Sequence, residues 1–114
     1  HEDFIERIII ITDYIIEYFK KDKALLSVIN KNFSWSLVIN QMNSSESKEL
    51  NILFNEYNRN LKERGYSPQE AEQLLFLIVD LIGVACYSAI LNNQPATIDE
   101  LKPTLFLAIR KILS

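Results

Sequence analysis

At 114 residues, with 48% hydrophobic residues but only two glycines and three prolines, the sequence has the length of one domain and the composition of long helices with few turns. A net charge of -3 and an isoelectric point near 5.1 exclude the basic stripe that phosphate neutralisation needs. A single cysteine excludes an internal disulfide and fits a reducing, cytoplasmic compartment. No signal peptide is visible, and a start at His1 rather than methionine is what an excised piece would show, so a functional region is expected upstream.

Taken in order, Asp3 to Lys20 contains the run Ile8, Ile9, Ile10, Ile11, which alone favours a strand. The wider window reads as an amphipathic helix: Phe4, Ile8, Ile11, Ile15 and Phe19 recur at three and four residues, with Glu6, Asp13, Glu17 and Lys20 on the other side. Asp22 offers an N-cap for a short helix through Leu25, Val28 and Ile29, ending near Asn32. Lys20, Lys21, Lys23 and Lys31 read as the solvated ends of these two helices. Between Phe33 and Asn43 lie the only tryptophan, Trp35, and the only methionine, Met42, in a short helix or an irregular turn.

Asn43 and Glu46 have capping-box spacing, although Ser44 or Ser45 could serve as the cap. Leu50, Leu53, Phe54, Tyr57 and Leu61 then give the strongest helical period in the chain, closed by Lys62, Arg64 and Gly65. Ser67, Pro68 and Glu70 open the next helix with a cap, a proline at its first position and a reciprocating glutamate. From Leu74 to Leu91 it runs eighteen residues with Asp80 as the only charge. Asn93 to Ala96 breaks it, and Thr97 to Glu100 supplies a second capping box. Pro103 then predicts either a kink or a helix that restarts there, followed by Leu105, Phe106, Ala108, Ile109, Ile112 and Leu113. The expected class is an all-α bundle of five to six helices, without internal repeats.

The segment from Leu74 to Leu91 is near bilayer-spanning length. A central Asp80 costs about 3 kcal/mol in lipid, and the amphipathic neighbours need water, so a membrane span is not the reading adopted. A buried central helix of a monomeric bundle is one alternative. The other is a partner: at 100° per residue, Ala71, Leu75, Ile78, Ile82, Ala85 and Ala89 share one face, and Phe76, Asp80, Gly83 and Tyr87 form a further stripe. One small bundle cannot cover that whole circumference. Pairing of the last two helices with those of a second copy would, through Leu75, Ile78, Ile82, Gly83, Ala85, Ala89, Leu105, Phe106, Ile109 and Ile112. Asp80, if buried, needs Arg110 or Lys111, or else contacts a ligand. Apolar walls for a small molecule are available in Phe19, Trp35, Met42, Phe54, Tyr57 and Phe76, with Tyr57, Asp80 and Tyr87 as polar contacts. Taken singly, each of these is better explained as ordinary core than as a ligand contact.

Three stretches carry a family resemblance. Lys31-Asn32-Phe33-Ser34-Trp35, Gly65-Tyr66-Ser67-Pro68 with Glu70 and Ala71, and Asn93-Gln94-Pro95 followed by Ile98 and Leu101-Lys102-Pro103 are similar to the C-terminal regulatory domain of TetR-family transcriptional regulators. The resemblance runs over essentially the whole chain. It implies an all-helical domain whose last two helices dimerise and whose preceding helices enclose a mostly apolar cavity. In such regulators a ligand repositions two N-terminal helix-turn-helix domains and lowers operator affinity; no helix-turn-helix is present here, so this piece alone should not bind operator DNA. No cofactor or metal is called for. The only histidine is His1, no glycine-rich phosphate loop occurs and no metal-ligand spacing is present, so an enzyme is not expected. A helical protein-interaction module is the remaining alternative.

Overall fold

The computed structural model describes residues 2–32 and 48–114, with side chains described for 4–29, 48 and 51–114. Five α-helices run α1 Glu2–Lys21, α2 Lys23–Asn32, α3 Lys48–Glu63, α4 Pro68–Cys86 and α5 Ile98–Leu113, with a π-helical segment, Tyr87–Leu91, continuing α4. No strand occurs among the described residues, so the chain is an all-α bundle. Trp35, Met42 and the cap expected at Asn43 to Glu46 lie outside the described residues.

The helix ends form as their local chemistry dictates. Asp22 Oδ1 accepts from the Leu25 amide at 3.0 Å, capping α2. At the start of α4 the Glu70 amide donates to Ser67 Oγ at 3.1 Å and the Ser67 amide to Glu70 Oε1 at 2.9 Å, a complete capping box. Thr97 and Glu100 repeat it at α5. α3 closes at Gly65, whose φ of 94° few other residues tolerate. There the Tyr66 amide reaches back to the Leu61 carbonyl and the Gly65 amide to that of Lys62, the paired bonds of a Schellman stop. α5 neither restarts nor breaks at Pro103; it is continuous from Ile98.

Two compact units divide the chain, one of residues 1–32 and 77–114, the other of 33–76. In the first, α1 packs on α2 and α5, and the π segment packs on α2 and α5. Its core is Phe4, Ile5, Ile9, Thr12, Ile16, Leu26, Ile78, Cys86, Ala89, Ile90, Ile98, Leu105, Ile109 and Leu113. Each large aliphatic side chain there contributes about 2 kcal/mol by leaving water. The buried row of α1 is therefore Ile5, Ile9, Thr12 and Ile16, one residue round from the expected row, of which only Phe4 is fully buried. Thr12 tolerates that position because its hydroxyl donates to the Ile8 carbonyl at 2.8 Å.

In the second unit, Tyr57, Asn60, Leu61 and Ala71 are buried. The Tyr57 hydroxyl donates to the Ala71 carbonyl at 2.6 Å, tying α3 to the first turn of α4. Asn60 is satisfied by donating to the Glu56 carbonyl at 2.8 Å.

Candidate functional site

The charged side of α1 does not simply face water. It lies along α5 in the first unit, where opposite charges meet it in register. Arg110 forks onto Glu6 with two bonds of 2.9 Å. Lys102 reaches Asp13 at 2.8 Å and also bonds Glu17, while Lys20 bridges Asp99 at 2.9 Å and Glu17 at 3.2 Å. The Arg110 hydrogen bonds hold the Glu6 carboxyl below its ordinary range, those of Lys102 and then Lys20 hold Glu17 down, and that of Lys20 holds Asp99 down. Burial pulls the Lys102 ammonium downward, but the Asp13 and Glu17 carboxylates together outweigh it and its pKa rises. The Lys20 ammonium is raised by Asp99 and then Glu17.

This seam corrects one expectation outright. Arg110 is committed to Glu6, so it does not neutralise Asp80, and Asp80 is exposed rather than buried. Asp80 and Lys111 make no ion pair among the described residues.

With that rotation set, the outer side of α4 and its π extension carries Leu77, Asp80, Val84 and Tyr87, spaced at three, four and three residues. Leu77 is 53% and Val84 57% exposed. On α5 the corresponding outer row is Thr104, Leu107 and Lys111, with Leu107 49% exposed. Gly83 lies beside the α4 row, and a Cβ added there would meet nothing within 4 Å. The apolar helix is therefore not buried all round. By length and composition alone the 24 residues Pro68–Leu91 could cross a membrane, and only 22% of its most apolar window is buried.

The interface candidates read from the sequence divide accordingly. Ile78, Ala89, Leu105 and Ile109 are buried in their own chain's core and are not available to a partner. Leu75, Ile82, Gly83, Ala85, Phe106 and Ile112 are half-buried. The reason is that the broad face shared by Ile78, Ile82, Ala85 and Ala89 is the more apolar one, and the chain's own core takes it first. Leu77, Val84 and Leu107 were missed, although a signal existed: the one charge of an otherwise apolar helix marks the side facing water, and Leu77, Gly83, Val84 and Tyr87 are its neighbours at three, four and seven residues.

The pocket candidates are divided between the two units, and Trp35 and Met42 lie outside the described residues. In the first unit Phe19 is half-buried with its ring edge-on to Tyr18, and Asp80 and Tyr87 are exposed. In the second, Phe54 is half-buried, Phe76 is exposed and Tyr57 is buried. Tyr57 gives its proton to the Ala71 carbonyl rather than to a ligand, and burial pushes its pKa up. Cys86 is fully buried with its thiol pushed up to about 11 by burial, which suits a small core hydrophobe. No group of three metal-ligating side chains occurs among the described residues. A further exposed apolar row was also missed: Ile10, Tyr14 and Tyr18 on α1, at 68%, 73% and 48%. It is left outward because the charged row beside it turns toward α5.

Comparison with known proteins identifies no relative: no family model matches the chain, and neither a curated protein nor a solved structure is similar to it.

Proposed function

We propose that this chain is the effector-binding and dimerisation domain of a TetR-family transcriptional regulator, acting as a repressor that a small apolar ligand releases from operator DNA. The observation that carries the reading is the outer row of α4, where Leu77 and Val84 remain more than half exposed on the most apolar helix of the chain. Soluble monomers seldom leave such a row uncovered, and a second copy presenting the same surface covers it with a closed two-fold contact. The three sequence stretches similar to that family, and the all-α fold, support the same reading. Operator contact belongs to an upstream helix-turn-helix. A ligand that prefers one dimer geometry by about 3 kcal/mol then changes operator affinity roughly a hundredfold.

For an apolar effector, the half-buried Phe19 offers an aromatic wall in the first unit and the half-buried Phe54 one in the second. A thermal-shift screen of apolar and aromatic compounds tests this half of the reading: a binder raises the unfolding midpoint, and a screen without a single stabiliser argues against an effector site. Gly83→Arg tests the other half. Because nothing lies within 4 Å of a Cβ there, the variant keeps its helical fold and loses the dimer. A variant that remains fully dimeric overturns the assignment of this face.

A second reading, a protein-interaction module without a small-molecule ligand, is favoured by the row Ile10, Tyr14 and Tyr18. It predicts a monomer in solution whose partner contact is lost in Tyr14→Ser.

A further inference from the structure

Charge is sorted around α1. Its acids Glu6, Asp13 and Glu17 all turn to bases of α5, and Lys20 turns with them to Asp99. The outward side is sorted the other way: Arg7, Ile10, Tyr14, Tyr18 and Lys21 are exposed there at spacings of three, four, four and three residues. This stripe sets an isoleucine and two tyrosines between two cations, with no acid among its described side chains, on a chain whose net charge is -3. Lys21 makes no ion pair among the described residues. Arg7, with several N–H donors on its guanidinium, can bind a further carboxylate beside any contact it already makes. The two cations stand fourteen residues apart, about 21 Å at the helical rise.

Tyrosine and arginine around an exposed isoleucine are what protein contacts favour at their centre, and lysine suits a rim. The half-buried Ile11 continues the apolar surface on one side, and the Tyr18 ring is braced edge-on by Phe19. On the other side, about 60 to 100° round from Tyr14, the carboxylates of Glu17, Glu6 and Asp13 stay about half exposed although each is paired. A broad anionic surface such as a bilayer or a nucleic acid would meet those carboxylates along with the cations. A single helix, about 10 Å across, would meet only the stripe. A second copy of this chain fits no better than the bilayer: laid parallel it sets Arg7 on Arg7 and Lys21 on Lys21, laid antiparallel it sets Arg7 on Lys21, and both juxtapose like charges.

We infer that the outer stripe of α1 docks one amphipathic helix of a different protein, whose own apolar stripe ends in acidic residues about fourteen positions apart, one against Arg7 and one against Lys21. The alternation of three and four residues lets two helices interleave their side chains along a shared seam. Ile10 and the tyrosines supply the contact, and the end charges select and steer the partner. This names a partner for the row behind the second reading above, and it holds whether the chain itself is a monomer or a dimer.

The full chain is screened against a displayed library of helices three heptads long, apolar along one stripe and randomised elsewhere, and the enriched sequences are made as peptides. They are expected to carry Asp or Glu at both ends of the stripe. Their affinity should fall at least about tenfold in Tyr14→Ser and in Lys21→Glu, and return in Lys21→Glu when the facing acid of the peptide is changed to lysine. Both positions are exposed, and circular dichroism confirms that each variant keeps its helices. Val84→Arg, on the outer row of α4, should leave the binding unchanged, so that this inference and the dimeric reading fail separately. Enriched helices that lack the end acids but are still lost in Tyr14→Ser overturn the charge match and leave the second reading standing. No enriched helix, or binding indifferent to Tyr14→Ser, overturns the inference. Cosedimentation with phosphatidylserine vesicles that Tyr14→Ser abolishes assigns the stripe to lipid, and a wild-type dimer that Tyr14→Ser dissociates assigns it to a second copy; either result overturns the inference as well.

Discussion

The seam between α1 and α5 and the outer row of α4 place charge and hydrocarbon in opposite ways. In the seam, Glu6, Asp13, Glu17, Lys20, Asp99, Lys102 and Arg110 are drawn together between two helices, and Lys102 keeps only 18% of its side chain exposed. On the outer row, leucine and valine stand in solvent beside one carboxylate. Charge here follows the partner helix, because a row of acids on α1 finds bases at matching positions on α5. Hydrocarbon left over by that arrangement is what a second molecule can use.

The sharpest way to break this comparison is to truncate one apolar residue on each side of it. Ile109→Ala, in the core beneath the seam, should cost about 3 kcal/mol of stability at every protein concentration. Val84→Ser, on the outer row, should cost the isolated chain only about 0.5 kcal/mol. It should instead remove the concentration dependence of the melting temperature that a dimer confers. Equal losses from the two variants would mean that Val84 is core after all.

A smaller effect is expected at the seam itself. Glu17 and Asp99 are held below the ordinary carboxylate range, so their contribution is complete above that range, from about pH 5 upward, and is lost as the pH falls through their lowered values. Lys20 and Lys102 are raised, so their contribution is complete below the ordinary lysine value near 10.4 and lost only as the pH rises beyond it. Lys102→Met should therefore cost about 1 kcal/mol near neutrality and flatten the acid limb of the stability curve, read by urea titration across pH. An unchanged acid limb would show that the seam is ordered but energetically idle. The smallest expected change is a gain: Gly83→Ala, at a helical position with room for a methyl group, should stabilise the monomer by about 0.5 to 1 kcal/mol.

Much of this architecture was legible residue by residue. The stops at Gly65 and Asn93 and the capping boxes at Ser67 and Thr97 depend on a few adjacent residues, and local chemistry settles them. Rotation of a helix about its own axis does not depend on local chemistry. α1 has isoleucines on three sides, so its periodicity fits more than one buried row, and the choice fell to the long-range pairs of Glu6, Asp13 and Glu17 with α5. α4 presented the same ambiguity, with a lone Asp80 as its only marker of the outer side. The π segment at Tyr87–Leu91 left no signature that periodicity could detect, since the i→i+5 bonds shift the register inside an apolar run.

Sedimentation velocity of the unmodified chain at tens of micromolar, in physiological salt and without detergent, tests the central claim most directly. If the outer row of α4 is covered by a second copy, the species observed has twice the 13.3 kDa mass of one chain, and Val84→Arg returns it to one chain while its helical spectrum is unchanged. A wild type that sediments as a single chain throughout that range would contradict the account.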